Sequence, residues 1–179
     1  MRGSIFSAQE GLLGNTNHDP KKDVLRVTAM PDTNQPHQEW MWLGLDDLTP
    51  SSCNLVLRWQ RLRLAVPITV DVNANVLAGC RSEIASAKSD DWRTPQRAAG
   101  WCFDNSVALD EAAAWLEKSL AIQPAYANLA LKSRWLAKDG KKAEAIATAR
   151  RAIAAGKASK ETVDTSATEK LVAEWTGQK

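Results

Sequence analysis

The chain has 179 residues, 44% of them hydrophobic and 25% charged, with a formal net charge of +2 from 23 basic and 21 acidic side chains. That length holds one domain or two small ones with a real core. The two signs are interspersed, which argues against a polyanion-binding surface, and no apolar run approaches the roughly 20 residues that a bilayer span needs.

The start, "MRGSIFSAQEGLLG", lacks the apolar core and cleavage pattern of a signal peptide and reads as the interior of a strand. Residues 1–72 carry β signals. "SIFSAQ" and "VLRVTAM" alternate, with Leu25, Val27 and Ala29 on one face, and the intervening "GNTNHDPKKD" is rich in turn formers. "QEWMWLGLDDL" is apolar in both phases and predicts a strand covered on both sides. In "CNLVLRWQRLRLAVPITVDV" one phase is held by Cys53, Leu55, Leu57 and Trp59, and the other by Leu62, Leu64, Val66, Ile68, Val70 and Val72. The flip predicts two strand segments joined by a bulge or bend near Gln60–Arg61. Pro67 offers no donor and belongs at an edge or irregularity.

From Asn73 the period becomes helical, with Val76, Leu77, Cys80, Ile84 and Ala87 on one face, so residues 73–90 predict a connecting helix. In "SDDWRTP", Thr94 as N-cap and Pro95 at the first helical position mark the next helix start. Within 91–179 small residues recur at one spacing: Gly100 and Ser133, Ala112 and Ala145, Ser119 and Ala152 are each 33 residues apart. Pro124 and Gly140 fall between helices. The pattern resembles the tetratricopeptide repeat, whose period is about 34 residues, and "LDEAAAWLEKSLAIQP" and "DGKKAEAIATARRAIA" match its second helix. Not all of its first-helix Trp and Tyr positions are filled. "TSATEKLVAEW" reads as a last helix, with Ser166 and Glu169 at capping-box spacing. Two repeats and one helix are too few to stand alone, so the β segment is expected to support the helical hairpins through their small-residue seams.

The expected fold class is α+β, a partial antiparallel β-sandwich-like domain followed by tetratricopeptide-like helical hairpins. Most of the eight tryptophans fall inside apolar patterns and are expected in the core or at its rim. Cys53, Cys80 and Cys102 allow at most one disulfide, and buried free thiols are the favoured reading.

Taken together, "DPKKDVLRVTAMP", "EWMWLGLDDL", "NLVLRWQRL", "DDWRTPQRAAGWC" and "LDEAAAWLEKSLA" resemble a bacterial family numbered 2911 in the domain-of-unknown-function series, from about Ser4 to Trp175. The resemblance implies a β-sandwich-like domain followed by tetratricopeptide-like helices on an exported or periplasmic protein, with no established activity. The family's Gly-, Arg- and Trp-containing block has no counterpart ahead of Ser4, so the chain reads as N-terminally truncated. An apolar face or sheet edge near Ile5 and Leu25 is then expected to be uncovered, so that the protein self-associates or is marginally stable.

Residue patterns for chemistry are sparse. "DVNANVLAGCRSE" begins like a calcium loop, but Val76 stands where a Gly is needed and Ser82 where a bidentate Glu is needed. His18 and His37 lie in turn-rich stretches and are expected on surface loops. Nucleophile, metalloprotease, phosphate-loop and dinucleotide motifs are absent from the sequence, so no catalytic residue, metal ligand or cofactor is assigned. Asp46–Asp47 and Asp90–Asp91 read as turn or helix caps, and Arg58, Arg61 and Arg63 as a charged sheet edge rather than a nucleic-acid surface.

The candidate interaction surface is helical. In a tetratricopeptide-like register the inner faces of the first helices present Arg97, Trp101, Asp104, Arg134 and Lys138, a mildly basic, Trp-bearing concavity suited to an acidic or C-terminal peptide. The rival occupant is the protein's own tail helix or sheet. The expected function is a non-catalytic binding or scaffold protein. The alternative is a small-ligand or glycan-binding β domain using Trp40 or Trp42. An enzyme would need His18 or His37 beside a carboxylate or thiol in a cleft.

Overall fold

The computed structural model describes residues 2–8, 18–159 and 162–177. The fold is α+β: two small antiparallel sheets precede a run of helices. The chain forms two compact units, Met1–Val72 and Asn73–Lys179.

In the first unit β1 (Arg2–Ser7) pairs with β2 (Asp23–Ala29), from Arg2 opposite Ala29 to Phe6 opposite Leu25, with a register shift between Phe6 and Ser7. A short 3₁₀ turn, Pro20–Lys22, leads into β2, started by the Asp19 carboxylate accepting from the Lys21 N–H. The first half of the expected turn-rich loop and the side chain of Ile5 lie outside the described residues; Leu25 is exposed.

The second sheet has the order β3 (Gln38–Asp46), β4 (Ser52–Gln60), β5 (Leu62–Thr69). The phase flip in this stretch marks a hairpin, not a bulge. Trp59 pairs with Leu62 across Gln60–Arg61, and Leu57, Leu55 and Cys53 pair with Leu64, Val66 and Ile68. A two-residue turn sets odd positions of one strand opposite even positions of the next, so both apolar phases end on one face. Gln60 has φ 54°, the positive value that a II′ turn requires at its first central residue. Pro67 lies opposite Asn54 on β5, the last strand in the sheet order, in keeping with its missing donor. Beyond this edge the backbones of Asp32 and Arg63 exchange hydrogen bonds of 2.9 and 2.8 Å.

The other face of this sheet is covered by its own side chains. Val56 is fully buried at its centre. The Trp42 ring folds across Gly44, where an added Cβ would lie 2.6 Å from Trp42 Cζ2, so a larger residue there would displace the ring. Arg58 lies over the Trp42 ring at 5.3 Å and is ion-paired with Asp46, while Arg63 and Asn54 converge on Asp47. Burial would raise the Asp47 pKa, but the Asn54 hydrogen bond, the largest influence, and Arg63 hold it below the ordinary 3.8. The expectation that β3 is covered on both sides is corrected: Trp40 is 83% exposed, Leu43 61% and Leu45 56%. Apolar residues in both phases are matched here by intra-sheet stacking on one face and open surface on the other. Trp40, Trp42 and Trp59 are exposed, whereas Trp92, Trp101, Trp115, Trp135 and Trp175 are partly buried, so the core expectation for tryptophan fits the helices only.

The second unit comprises α1 (Val72–Ser86), which begins at the junction, α2 (Arg93–Asn105), α3 (Leu109–Ile122), α4 (Tyr126–Lys138), α5 (Lys142–Lys157) and α6 (Ser166–Thr176). Both ends of α4 fall 33 residues after the corresponding ends of α2. Helices α2 and α3 pack as one hairpin, α4 and α5 as a second, and α6 lies against α5. Small residues make the seams: Ala112, Ser119, Ser133, Ala145 and Ala152 are fully buried, and Gly100 lies partly buried against Leu131. The core cluster of Ala99, Cys102, Ala112, Leu116 and Leu131, flanked by Leu77, Trp101, Phe103, Trp115, Leu120 and Trp135, is drawn from α1 to α4. The seams therefore close helix against helix. All three cysteines are free, and burial pushes the Cys80 and Cys102 thiols above their ordinary pKa.

Helix starts differ from the expected ones by one or two residues. The cap of α2 is Asp91, whose carboxylate accepts from the N–H groups of Arg93 (2.9 Å) and Thr94 (3.1 Å) and from the Thr94 hydroxyl (2.7 Å). Thr94 thus donates to the cap instead of forming it. At α6 Asp164 accepts from Ser166 N–H, while Glu169 accepts from Thr165 and pairs with Lys157 at 2.9 Å, so the Ser166 capping box does not form. In each case a carboxylate just upstream outcompetes the hydroxyl for the free N–H groups.

The Thr94 and backbone hydrogen bonds lower the Asp91 pKa from its ordinary 3.8. A depressed folded-state value stabilises above the unfolded pKa, and that stability is lost as pH falls through the folded value. In urea titrations between about pH 5 and pH 2, the midpoint of the wild-type helical signal should therefore fall more steeply than that of Asp91→Asn.

The α2–α3 turn carries strain. Ser106 and Ala108 have φ 55° and 46°, in the left-handed region. The α4–α5 turn instead places Gly140 at φ 77°. Ala108→Gly should raise unfolding stability by about 1 kcal/mol, measured by denaturant titration.

Candidate functional site

Helical spacing puts Arg97, Trp101 and Asp104 on one face of α2, and Arg134 and Lys138 one turn apart on α4. The structure brings part of this set together. Arg134 reaches Asp104 at 2.6 Å, and its guanidinium lies over the Phe103 ring at 4.8 Å. Lys138 Nζ stands 5.1 Å from the same ring, which packs on Trp135 with centroids 5.0 Å apart. Phe103 is thus an aromatic floor between two cations, and neither Phe103 nor Trp135 is in the sequence-derived set.

The other two residues are placed differently. Arg97 is 71% exposed and stands 3.8 Å from Glu83 of α1, and Trp101 lies partly buried against the core cluster. Arg134 is charge-compensated by Asp104 and Arg97 faces Glu83, so the basic character of the face rests on Lys138. Exposed pairs of this kind contribute little to stability and remain free to exchange partners. Helix α6 is anchored on the far hairpin, through Tyr126 Oη to Thr168 Oγ1 (2.8 Å) and Lys157 to Glu169, while Arg97, Asp104, Arg134 and Lys138 stay exposed.

Of the two histidines, His18 departs from the surface-loop expectation and His37 does not. His18 is half-buried, with Nε2 2.6 Å from Asp23 Oδ1, and Arg26 takes the other carboxylate oxygen. Burial would raise the Asp23 pKa, but the hydrogen bonds from His18 and Arg26 outweigh it and hold the carboxyl below 3.8. Asp23 can orient the imidazole, though it is shared with Arg26. His37 is exposed and lines a cavity of about 330 Å³ with Gln35, Gln38, Arg58 and Gln60. Asp46 and Asp47 are ion-paired to separate arginines, and Arg63 is tied to Asp32 and Asp47 instead of lying on a free edge.

Residues 3–68 match the model of a family described as a protein of unknown function (DUF2911). The match ends with the strands, so the resemblance extends less far than Trp175, and the helical blocks lie outside it. No curated protein and no solved structure matches the chain. Among the described residues, no helix is long and apolar enough to cross a membrane.

Proposed function

We propose that this chain is a non-catalytic binding or scaffold protein whose helical unit is a short tetratricopeptide-like array that docks an acidic peptide on the α2–α4 face. The observation that carries the reading is Phe103, held by Trp135 and flanked by Arg134 and Lys138 on an exposed face. An acidic side chain would pair with Lys138 or displace Asp104 from Arg134, while an adjacent apolar side chain covers the Phe103 ring. The 33-residue offset between α2 and α4 supports the array reading, and the fully buried small seams support its packing.

A fluorescein-labelled, C-terminally amidated peptide of alternating Glu and Leu is the probe. Fluorescence anisotropy should saturate with wild type, weaken with added salt, and fall by about tenfold or more in affinity with the Arg97→Glu/Lys138→Glu pair. No saturable binding, or unchanged affinity in the charge-reversed variant, would overturn the reading.

A second reading rests on Trp40, whose open ring offers a stacking platform for a sugar or flat small ligand on the β unit. Trp42 is less suited, because Arg58 already occupies one of its faces. Saturable quenching by a glycan that is lost in Trp40→Ala would favour this reading over the first.

A further inference from the structure

A cavity of about 490 Å³ opens at the end of the helical unit, away from the Phe103 face, where the start of α2, the α3–α4 connection and the end of α5 converge. Its volume is in the range of small-molecule pockets. Its walls include two aromatic side chains, Trp92 and Tyr126, and Arg93 is the one charged residue among its described lining residues. The Arg93 guanidinium lies over the Trp92 ring at 4.8 Å, which holds the cation against the cavity wall. Tyr126 is fixed from two sides: its hydroxyl bonds Thr168, and Gly156 backs the ring so closely that an added Cβ would stand 3.2 Å from Cδ2.

Tyr126 and Ala127 open α4, so the first turn of that helix adds its positive dipole end to the Arg93 charge, opposed by the C-terminal ends of α3 and α5 at Gln123 and Ala158. None of the described lining residues carries a carboxylate. Alanines 125, 127, 155 and 158 complete the walls and leave room for an apolar body. We propose that this cavity binds a carboxylate carried on a flat apolar group, either a small aryl acid or the free C-terminus of a peptide ending in an aromatic residue. The carboxylate pairs with Arg93, and the flat group packs between Tyr126 and the side of Trp92 that Arg93 does not cover.

Calorimetric titration of the full chain with phenylacetate and with its neutral isostere phenylacetamide tests this. Phenylacetate should bind saturably, and the amide about tenfold more weakly or worse, since a charge-assisted hydrogen bond is lost. In Arg93→Gln, checked for native helicity by circular dichroism, the two probes should bind equally. A short peptide ending in Phe with a free carboxyl separates the sources: tighter binding than phenylacetate assigns the site to a chain terminus, weaker binding to a small acid. No saturable binding of phenylacetate, equal affinity for acid and amide in wild type, or an acid preference that survives Arg93→Gln would overturn the proposal. The residues are distinct from those of the α2–α4 face, so either proposal can fail without the other.

Discussion

Asn128→Leu should lower the stability of the helical unit by about 3 kcal/mol, read as the shift in urea midpoint of the helical circular dichroism signal. Asn128 is fully buried and ties the start of α4 to the end of α3, with α2 reached through Ser119. Its Oδ1 accepts from Ala125 N–H (2.8 Å) at the start of α4, and its Nδ2 donates to the Gln123 carbonyl (2.8 Å) and to Ser119 Oγ (2.9 Å) at the end of α3. Ser119 in turn donates to the Trp92 carbonyl at 2.8 Å, just before α2. Leucine fills nearly the same space and supplies none of these partners, so the part-buried Ala125 N–H and Gln123 carbonyl lose their hydrogen bonds. Each such loss costs about 1 kcal/mol or more. Ser119→Ala should cost less, and the two changes together should cost less than their sum, because they cut one network. An apolar replacement that left the midpoint unchanged would mean that water satisfies these groups.

Gly156→Val should detach α6 and cost about 2 to 3 kcal/mol. An added Cβ at Gly156 would lie 2.7 Å from Thr165 Cγ2 as well as against the Tyr126 ring, so even one carbon forces the α5–α6 connection to move. That displacement would also strain the Tyr126–Thr168 and Lys157–Glu169 contacts. Gly156→Ala is the graded case: alanine recovers about 1 kcal/mol of helix propensity against the same clash, so its net effect should be smaller. Limited trypsin digestion gives the local readout, with cleavage after Lys170 accelerated in the Val variant before global unfolding. Cleavage at the wild-type rate would show that the seam yields without cost.

The helical half was legible because close helix packing leaves a mark at fixed spacing. Ala112, Ser133 and Ala145 can be read as seam residues from the 33-residue recurrence, and all three are fully buried. Helix starts were less legible, because Asp91 and Thr94, or Asp164 and Ser166, are rival caps that sequence does not rank. The Gln60–Arg61 turn was missed because neither residue is a usual turn former, so a phase flip was read as a bulge although a two-residue hairpin produces the same flip. The exposure of β3 was not legible at all: a strand apolar in both phases looks the same whether covered or open.

On the candidate face, the Asp104–Arg134 pair and the Phe103 floor arise between helices of different hairpins. One signal was available. Asp104 and Arg134 are 30 residues apart, as are Arg81 and Glu111, which are bonded at 2.6 Å. For the 33-residue offset between α2 and α4, opposite charges about one turn short of it face each other across the two helices.

Backbone amide chemical-shift mapping of the full chain, titrated with the amidated Glu–Leu peptide, tests the central claim most directly. The changes should concentrate on Phe103, Trp135, Lys138 and their α2–α4 neighbours. Changes confined to the β unit around Trp40, or no changes up to millimolar peptide, would contradict a docking role for the helical face.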